Sequence, residues 1–282
     1  MRIFVTGSAG QLGRALTRTF VQEELYLATR ARDDVAQSRI IATILDFKPH
    51  VVLHAAAMTE VDACELQPAL AFQVNAQGTR HVAEATRRAG AMLIYVSTDY
   101  VFDGTKEGPY IETDSPHPIN VYGQSKLAGE QAAQEAERWC IVRTSWVYGA
   151  GRQNFVTSVL EWAKTQPVLR FVCDNWGSPT YVKDLAGAIR YVLEAGISQE
   201  IVHASGEGVC TWVEYGQEIL TLAGIQQESQ TITSDQLQRP ARRPACSALR
   251  NTVLAQHGFS MRPWREALRD FMPVVIGKRG GG

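Results

Sequence analysis

The chain has 282 residues, of which 45% are hydrophobic and 20% charged, and its formal net charge is -1. This balance excludes a disordered chain, a coiled coil and a nucleic-acid-binding surface, each of which needs a strong compositional or positive-charge bias. At roughly 150 residues per domain, the length suits two modules or one large α/β unit. No apolar run approaches the ~20 residues of a membrane span, and the opening MRIFVTGSAG enters a strand pattern instead of a signal peptide. The expectation is a cytoplasmic protein with no membrane partner.

The first half alternates short β-branched and aromatic runs with longer helical stretches. RIFVT, LYLAT, HVVLHA, MLIYVS and CIVRTS are the strand candidates. Continuous apolar runs of that length suit strands buried on both faces, and strand-helix alternation argues for a parallel, doubly wound sheet. A helix is predicted from Tyr122 to about Glu137. After about Trp146 the pattern loosens: a helix over Asn154–Thr165, a strand over Leu169–Val172, a helix over Val182–Ala195, and a Pro/Arg-rich loop at LQRPARRPACS. Residues 1–150 read as a dinucleotide-binding domain and 151–282 mainly as a smaller substrate-binding lobe, with some segments returning to the first. The closing GKRGGG reads as a frayed end or a tag remnant. Cys64, Cys140, Cys173, Cys210 and Cys246 are scattered without Cys-x-x-Cys, and the six histidines lack ligand spacing, so neither a metal nor a disulfide framework is expected.

In a doubly wound sheet the ligand lies beyond the carboxyl ends of the strands, where the strand order reverses. The first such end is VTGSAGQLGRAL, with Gly7, Gly10 and Gly13 three residues apart between strand and helix. Such glycines let the backbone turn tightly and approach a pyrophosphate at the helix N-terminus. The spacing is Gly-x-x-Gly-x-x-Gly, and a glycine-rich turn that only packs helix on strand remains the alternative. The end of the second strand reads LATRARDD, where Arg30 or Arg32 could grip a 2′-phosphate. NADPH is therefore the expected cofactor, with NADH the alternative because Asp33 and Asp34 follow closely.

Tyr122 and Lys126 stand four residues apart, so on a helix both emerge from one face. Alone, such a pair also describes an aromatic core residue beside a solvated lysine. It gains meaning beside the glycine turn and the strand terminus YVSTDYVF, where the hydroxyls of Ser97 and Thr98 could hydrogen-bond a substrate carbonyl. A phenol has a reference pKa near 10, and a nearby ammonium would bring it towards working pH.

This order of motifs resembles the extended short-chain dehydrogenase/reductases and, more narrowly, the dTDP-4-dehydrorhamnose reductase family. The resemblance runs over nearly the whole chain: GSAGQLG, HAAAMTEVDACE, NAQGT, VSTDYVFDG, VYGQSKLAGE, RTSWVYG, WGSPT and RPACSALR. It implies an α/β, Rossmann-type doubly wound parallel sheet with a smaller C-terminal substrate-binding lobe. It also implies an enzyme that reduces the 4-keto group of a dTDP-linked 4-keto-6-deoxy sugar. Thr98 would be the catalytic hydroxyl in preference to Ser97, Tyr122 the proton donor, and Lys126 the lysine that tunes the phenol and holds the nicotinamide ribose. Gly7, Gly10, Gln11, Leu12 and Gly13 would form the nucleotide turn, Asp34 and Val35 the adenine side, and Ala55, Ala56 and Ala57 the third-strand turn. Thr98, Asp99, Tyr100, Trp146 and Asn154 would meet the sugar nucleotide, with Arg243 near its diphosphate. The Trp146 indole could independently stack on the 6-deoxy face of the hexose or pack at a domain junction.

One position departs from the pattern. Some members place a magnesium-binding glutamate just after the glycine turn, where this chain has Ala15, so no metal is expected and a monomer or a homodimer stays open. A related keto-sugar reductase, a nucleotide-sugar epimerase, or a dehydratase would share the Thr/Tyr/Lys set, although Asp99-Tyr100 replaces the Asp-Glu pair usual in the dehydratases. A non-enzymatic cofactor-binding regulatory subunit is the alternative from another class.

Overall fold

The computed structural model describes residues 1–277; residues 278–282 of the closing glycine-rich stretch lie outside it. β1 (Arg2–Thr6), α1 (Gln11–Thr19), β2 (Glu24–Leu27), α2 (Arg39–Phe47) and β3 (Val51–His54) open the chain. The short helices α3 (Val61–Leu66) and α4 (Pro68–Phe72), a π-helical turn at Gln73–Gln77 and α5 (Gly78–Arg88) lead into β4 (Met92–Thr98). α6 (Val121–Ala133) and β5 (Arg138–Thr144) follow. The second half contains β6 (Val147–Tyr148), α7 (Phe155–Thr165), β7 (Leu169–Val172), β8 (Trp176–Gly177), β9 (Thr180–Tyr181) and α8 (Val182–Glu194). It ends with β10 (Glu200–His203), β11 (Cys210–Thr211), α9 (Trp212–Leu222), β12 (Ser229–Ile232), α10 (Thr252–Gln256) and α11 (Trp264–Ile276).

Six parallel strands form the central sheet in the order β10-β5-β4-β3-β1-β2. Four of the five apolar runs expected to be covered on both sides are so covered, while β2, at the sheet's edge, is only half-buried. On one face, Ile3, Val5, Leu53, Ile94 and Val142 pack with Leu16 of α1 and with Leu185 and Ile189 of α8. On the other, Phe4, Val52, Leu93 and Tyr95 pack with Ile40 and Ile44 of α2, Val82 of α5 and Ala133 of α6. Each large aliphatic buried in this way contributes about 1.5–3 kcal/mol. β10 and α8 come from beyond residue 151, yet they lie in this sheet and its core. A second core joins Tyr148, Val159, Phe171, Tyr215, Trp264 and Phe271.

Two boundaries differ from the pattern. The second strand ends at Leu27 instead of Thr29, because the Thr29 carbonyl accepts from the amides of Arg32 and Asp33 and closes a turn there. α6 ends at Ala133 instead of Glu137: the amides of Glu135 and Ala136 reach back only three residues, to Ala132 and Ala133. That tighter last turn brings the chain round into β5 at Arg138.

From β1 the chain passes to β2 on one side and returns to β3 on the other. The strand order therefore reverses at β1, and the crevice beyond the carboxyl ends of β1, β3 and β4 is where a ligand fits an open α/β sheet. Among the described residues no helix is long and apolar enough to cross a membrane.

Candidate active site

The glycine turn lies in that crevice. Gly7 has φ +65, and a Cβ there would lie 2.8 Å from the Ala56 amide nitrogen, so the turn rests directly on the backbone after β3. A Cβ on Gly13 would lie 2.2 Å from the Gly7 carbonyl oxygen. The turn is held by the Gly10 amide donating to that oxygen at 2.9 Å, and by the Ser8 amide and hydroxyl donating to the Ala28 carbonyl. Gln11 fixes its outer side through the Gly149 carbonyl at 2.8 Å. The α1 N-terminus has Gly10 at its N-cap, no side-chain cap and no acidic residue in the first turn. Its amides and dipole end are therefore suited to a phosphate. This donor set, together with a backbone trimmed at both glycines, fits the pyrophosphate of a dinucleotide.

At the end of β2 the two candidate arginines separate. Arg32 donates to Asp33 at 2.8 Å and to the Leu27 carbonyl, and lies over the Tyr26 ring. Arg30 is exposed and makes no hydrogen bond or ion pair with the described residues, so it is the guanidinium left for a 2′-phosphate. Asp34 accepts from the Ala36 amide, and Val35 packs so closely on Gly78 that a Cβ there would lie 2.9 Å from it. Ala55, Ala56 and Ala57 form the half-buried turn after β3, with the Ala56 amide donating to Thr6 Oγ1.

Thr98 closes β4 and Tyr122 opens α6, whose N-cap is the Asn120 side chain accepting from the Gly123 amide. A Cβ on Gly123 would lie 2.0 Å from the Tyr100 carbonyl, so this glycine lets α6 dock against the end of β4. The result is a hydroxyl and a phenol placed close enough for Thr98 to temper the rise of the Tyr122 pKa, with Tyr100 edge-on to Tyr122 at 5.8 Å. Ser97 faces away and donates to buried Glu130 at 2.6 Å, which leaves Thr98 as the hydroxyl at the crevice.

Lys126 is buried one turn further along α6. Its Nζ donates to the Val96 carbonyl at 2.7 Å and lies 4.1 Å from the Tyr95 ring centroid. Burial lowers its pKa to about 7, opposed by the Glu130 charge. Tyr122 departs from expectation. Burial pushes the phenol well up, the Thr98 hydrogen bond opposes this, and the nearby Asp99, Cys64 and Tyr100 add to the rise. The lowering of Tyr122 by Lys126 is thus absent from the chain on its own, where the ammonium faces Val96 and Tyr95 and desolvation is the larger effect.

The residues expected around the sugar are brought together, but most already have partners. Asp99 is 3% exposed and accepts from Thr98 Oγ1 at 2.9 Å and from Ser247 Oγ at 2.5 Å. Burial raises its pKa to about 7 against those two hydrogen bonds. Arg243 grips Asp62 through both guanidinium nitrogens, at 2.5 and 2.9 Å. Asn154 caps α7, accepting from the Thr157 amide and donating to the Gly149 and Arg152 carbonyls. Trp146 is half-buried at φ 44, with one indole face stacked on Trp212 at 3.5 Å. A Cβ on Gly177 would lie 2.2 Å from Trp146 Cε2, so the indole also packs on the Gly177 backbone and serves packing first.

Sequence reasoning missed Trp212, Ser247, Asp62 and the buried Glu130–Arg143 pair, which meets at 2.7 Å. Asp62 and Ser247 lie within the motifs HAAAMTEVDACE and RPACSALR without a role read for them, and Glu130, four residues after Lys126, shares its helix face. Trp212 and Ser247 come from positions far along the chain, 66 residues from Trp146 in the case of Trp212 and 148 from Asp99 in the case of Ser247.

Comparison with known proteins agrees with this geometry. The family model described as the RmlD substrate binding domain matches residues 1–275. The dTDP-4-dehydrorhamnose reductase of Mycobacterium tuberculosis strain H37Rv is 39% identical over 277 residues, covering 95% of this chain and 91% of its own. The crystal structure of the Clostridium acetobutylicum dTDP-4-dehydrorhamnose reductase is 34% identical with a TM-score of 0.95, over 98% of this chain and 100% of that one. That of Bacillus anthracis, in complex with NADP, is 35% identical with a TM-score of 0.92, over 96% and 98%.

Proposed function

The chain belongs to the RmlD family, and on that premise we propose that it reduces the 4-keto group of dTDP-4-dehydrorhamnose with NADPH, giving dTDP-L-rhamnose. The observation that carries this reading is the meeting of the Thr98 hydroxyl and the Tyr122 phenol at the end of β4, beside buried Lys126. Thr98 closes β4 at the same carboxyl edge of the sheet as the glycine turn after β1.

NADPH, when bound, supplies the hydride to C4. Tyr122 donates its proton to the oxygen on C4 as negative charge grows there, and Thr98 orients that oxygen. Gly7, Gly10 and Gly13 would let the backbone reach the pyrophosphate, Arg30 would meet the 2′-phosphate, and Lys126 would hold the nicotinamide ribose. Trp146 and the Arg243 guanidinium position the sugar nucleotide. Because charge develops only in the transition state, Thr98 and Tyr122 act on turnover more than on binding.

The test is NADPH oxidation, followed by nicotinamide absorbance, with the dTDP-4-keto-6-deoxy-L-hexulose made by coupled enzymes and the product identified. Tyr122→Phe should lower turnover by about 10²- to 10⁴-fold, the span of a general acid. Near-normal turnover in that variant would reject the assignment.

A further inference from the structure

The mechanism above leaves one buried titratable group unused. Asp99 lies directly behind Thr98, with one carboxylate oxygen on the Thr98 hydroxyl and the other on Ser247 from the 238–247 loop. A hydroxyl has one proton and two lone pairs. With Asp99 ionised, the Thr98 proton goes to Asp99 Oδ1 at 2.9 Å, while one of its lone pairs takes the Tyr100 amide at 3.2 Å. In that state Thr98 has no proton to offer a substrate oxygen. With Asp99 protonated on Oδ1, the acid donates to Thr98 and the Thr98 proton is free to point into the crevice. Ser247 can donate to Oδ2 in either state.

We propose that Asp99 works as a protonated positioning residue, setting the direction in which the Thr98 hydroxyl donates and so switching the site between a donating and a non-donating form. The inference rests on reading Thr98 and Tyr122 as the reacting pair. It draws support from burial, which lifts Asp99 to about 7 and so makes the neutral acid accessible near neutrality. The groups facing Asp99 are Thr98 and Tyr100 from its own turn, Ser247 from the loop, and Tyr122 from α6; Arg239 and Arg243 act on Tyr100 behind it. A group raised in this way is neutral below about 7 and charged above it, so the donating form is lost as pH rises through that value.

The experiment compares the turnover of wild type and Asp99→Asn with NADPH and the 4-keto sugar nucleotide across pH. Asparagine keeps the shape, donates to Thr98 through Nδ2 and cannot ionise. Any basic limb from Lys126 is common to both proteins, so the ratio of variant to wild-type turnover is the readout. It should lie within about tenfold of unity near pH 6 and rise by about tenfold per pH unit above 7, as for a single ionisation. In a Thr98→Val background the same ratio should be flat. A ratio flat to about pH 9 in the Thr98 protein overturns the inference. So does a rising ratio that persists without Thr98, because Asp99 would then act by another route. A second arm needs no turnover: relative to Asp99→Asn, the wild type should lose unfolding stability as pH rises from about 4 to about 7, and a constant difference also overturns it. Tyr122→Phe separates the two levels. If that variant is inactive and the ratio is flat, only the Asp99 inference falls; if it is active, the underlying reading falls as well.

Discussion

Replacing Glu130 by glutamine tests how the site's floor is held. Glu130 and Arg143 are 3% and 1% exposed, and the glutamate accepts from Arg143 Nε at 2.8 Å, Arg143 Nη2 at 2.7 Å and Ser97 Oγ at 2.6 Å. Glutamine would leave the guanidinium buried against a neutral amide, and breaking one side of a buried pair costs about 3–5 kcal/mol. At about 2.1 cal/mol/K of unfolding entropy per residue, a chain of this length changes by about 0.6 kcal/mol per degree, so Tm should fall by roughly 5–8 °C. The assay is thermal unfolding by circular dichroism, with a urea titration for the free energy. Most of the penalty is the orphaned charge, so the double change Glu130→Leu with Arg143→Met should be more stable than Glu130→Gln alone. A single variant within about 1 kcal/mol of wild type, or a double variant no better than the single, would refute the argument. Glu130 also raises the Lys126 pKa against burial. In Glu130→Gln the ammonium should therefore discharge at a lower pH, and any basic limb of turnover that belongs to Lys126 should move down.

Three further changes test the ligand contacts. Arg30→Ala should raise the Michaelis constant for NADPH about tenfold while leaving that for NADH little changed, as expected for the loss of one charge-assisted contact; equal effects would rule out a 2′-phosphate contact. Gly13→Ala puts a methyl 2.2 Å from the Gly7 carbonyl. It should weaken NADPH binding by tenfold or more, on the order of the 1.4 kcal/mol that a displaced phosphate turn costs at least, and calorimetry showing unchanged affinity would contradict the cradle. Arg243→Ala should raise the Michaelis constant for the sugar nucleotide about tenfold with turnover nearly unchanged, because a diphosphate contact binds ground and transition states alike; a fall in turnover alone would place Arg243 elsewhere.

The fold was legible because its signals are local. RIFVT, HVVLHA and MLIYVS each carry an unbroken apolar core of three to five residues, as a strand covered on both faces requires, and three glycines at one spacing mark the turn on which α1 begins. The Tyr122–Lys126 pair was visible for the same reason, as one helical turn. What the sequence hid was non-local. Ser247 reaches Asp99 across 148 positions and Asp62 reaches Arg243 across 181. No periodicity encodes such meetings, since they follow from how the 238–247 loop folds back over β4 and α3. The sign of the Tyr122 shift was missed because two residues on one helix face suggest an interaction, while the burial that outweighs it depends on the whole fold.

The separation between rim and floor explains how one crevice can bind a dianionic ligand and still stage a proton transfer. At the floor, burial is the first cause acting on Tyr122, Asp99, Tyr100 and Lys126, and in every case it favours the neutral form. At the rim, Arg243 pairs with Asp62 and Arg239 lies near both, so attraction to a diphosphate would come from groups that do not touch the reacting carbon. Tyr122 can therefore stay protonated however tightly the nucleotide is held. Its phenolate would be stabilised only by positive charge brought beside it, which an oxidised nicotinamide would supply. A phenol poised by Lys126 alone would ionise independently of the substrate. One kept neutral by desolvation gives up its proton only to an oxygen that is gaining charge, so proton transfer is tied to hydride transfer by the same burial that raises its pKa.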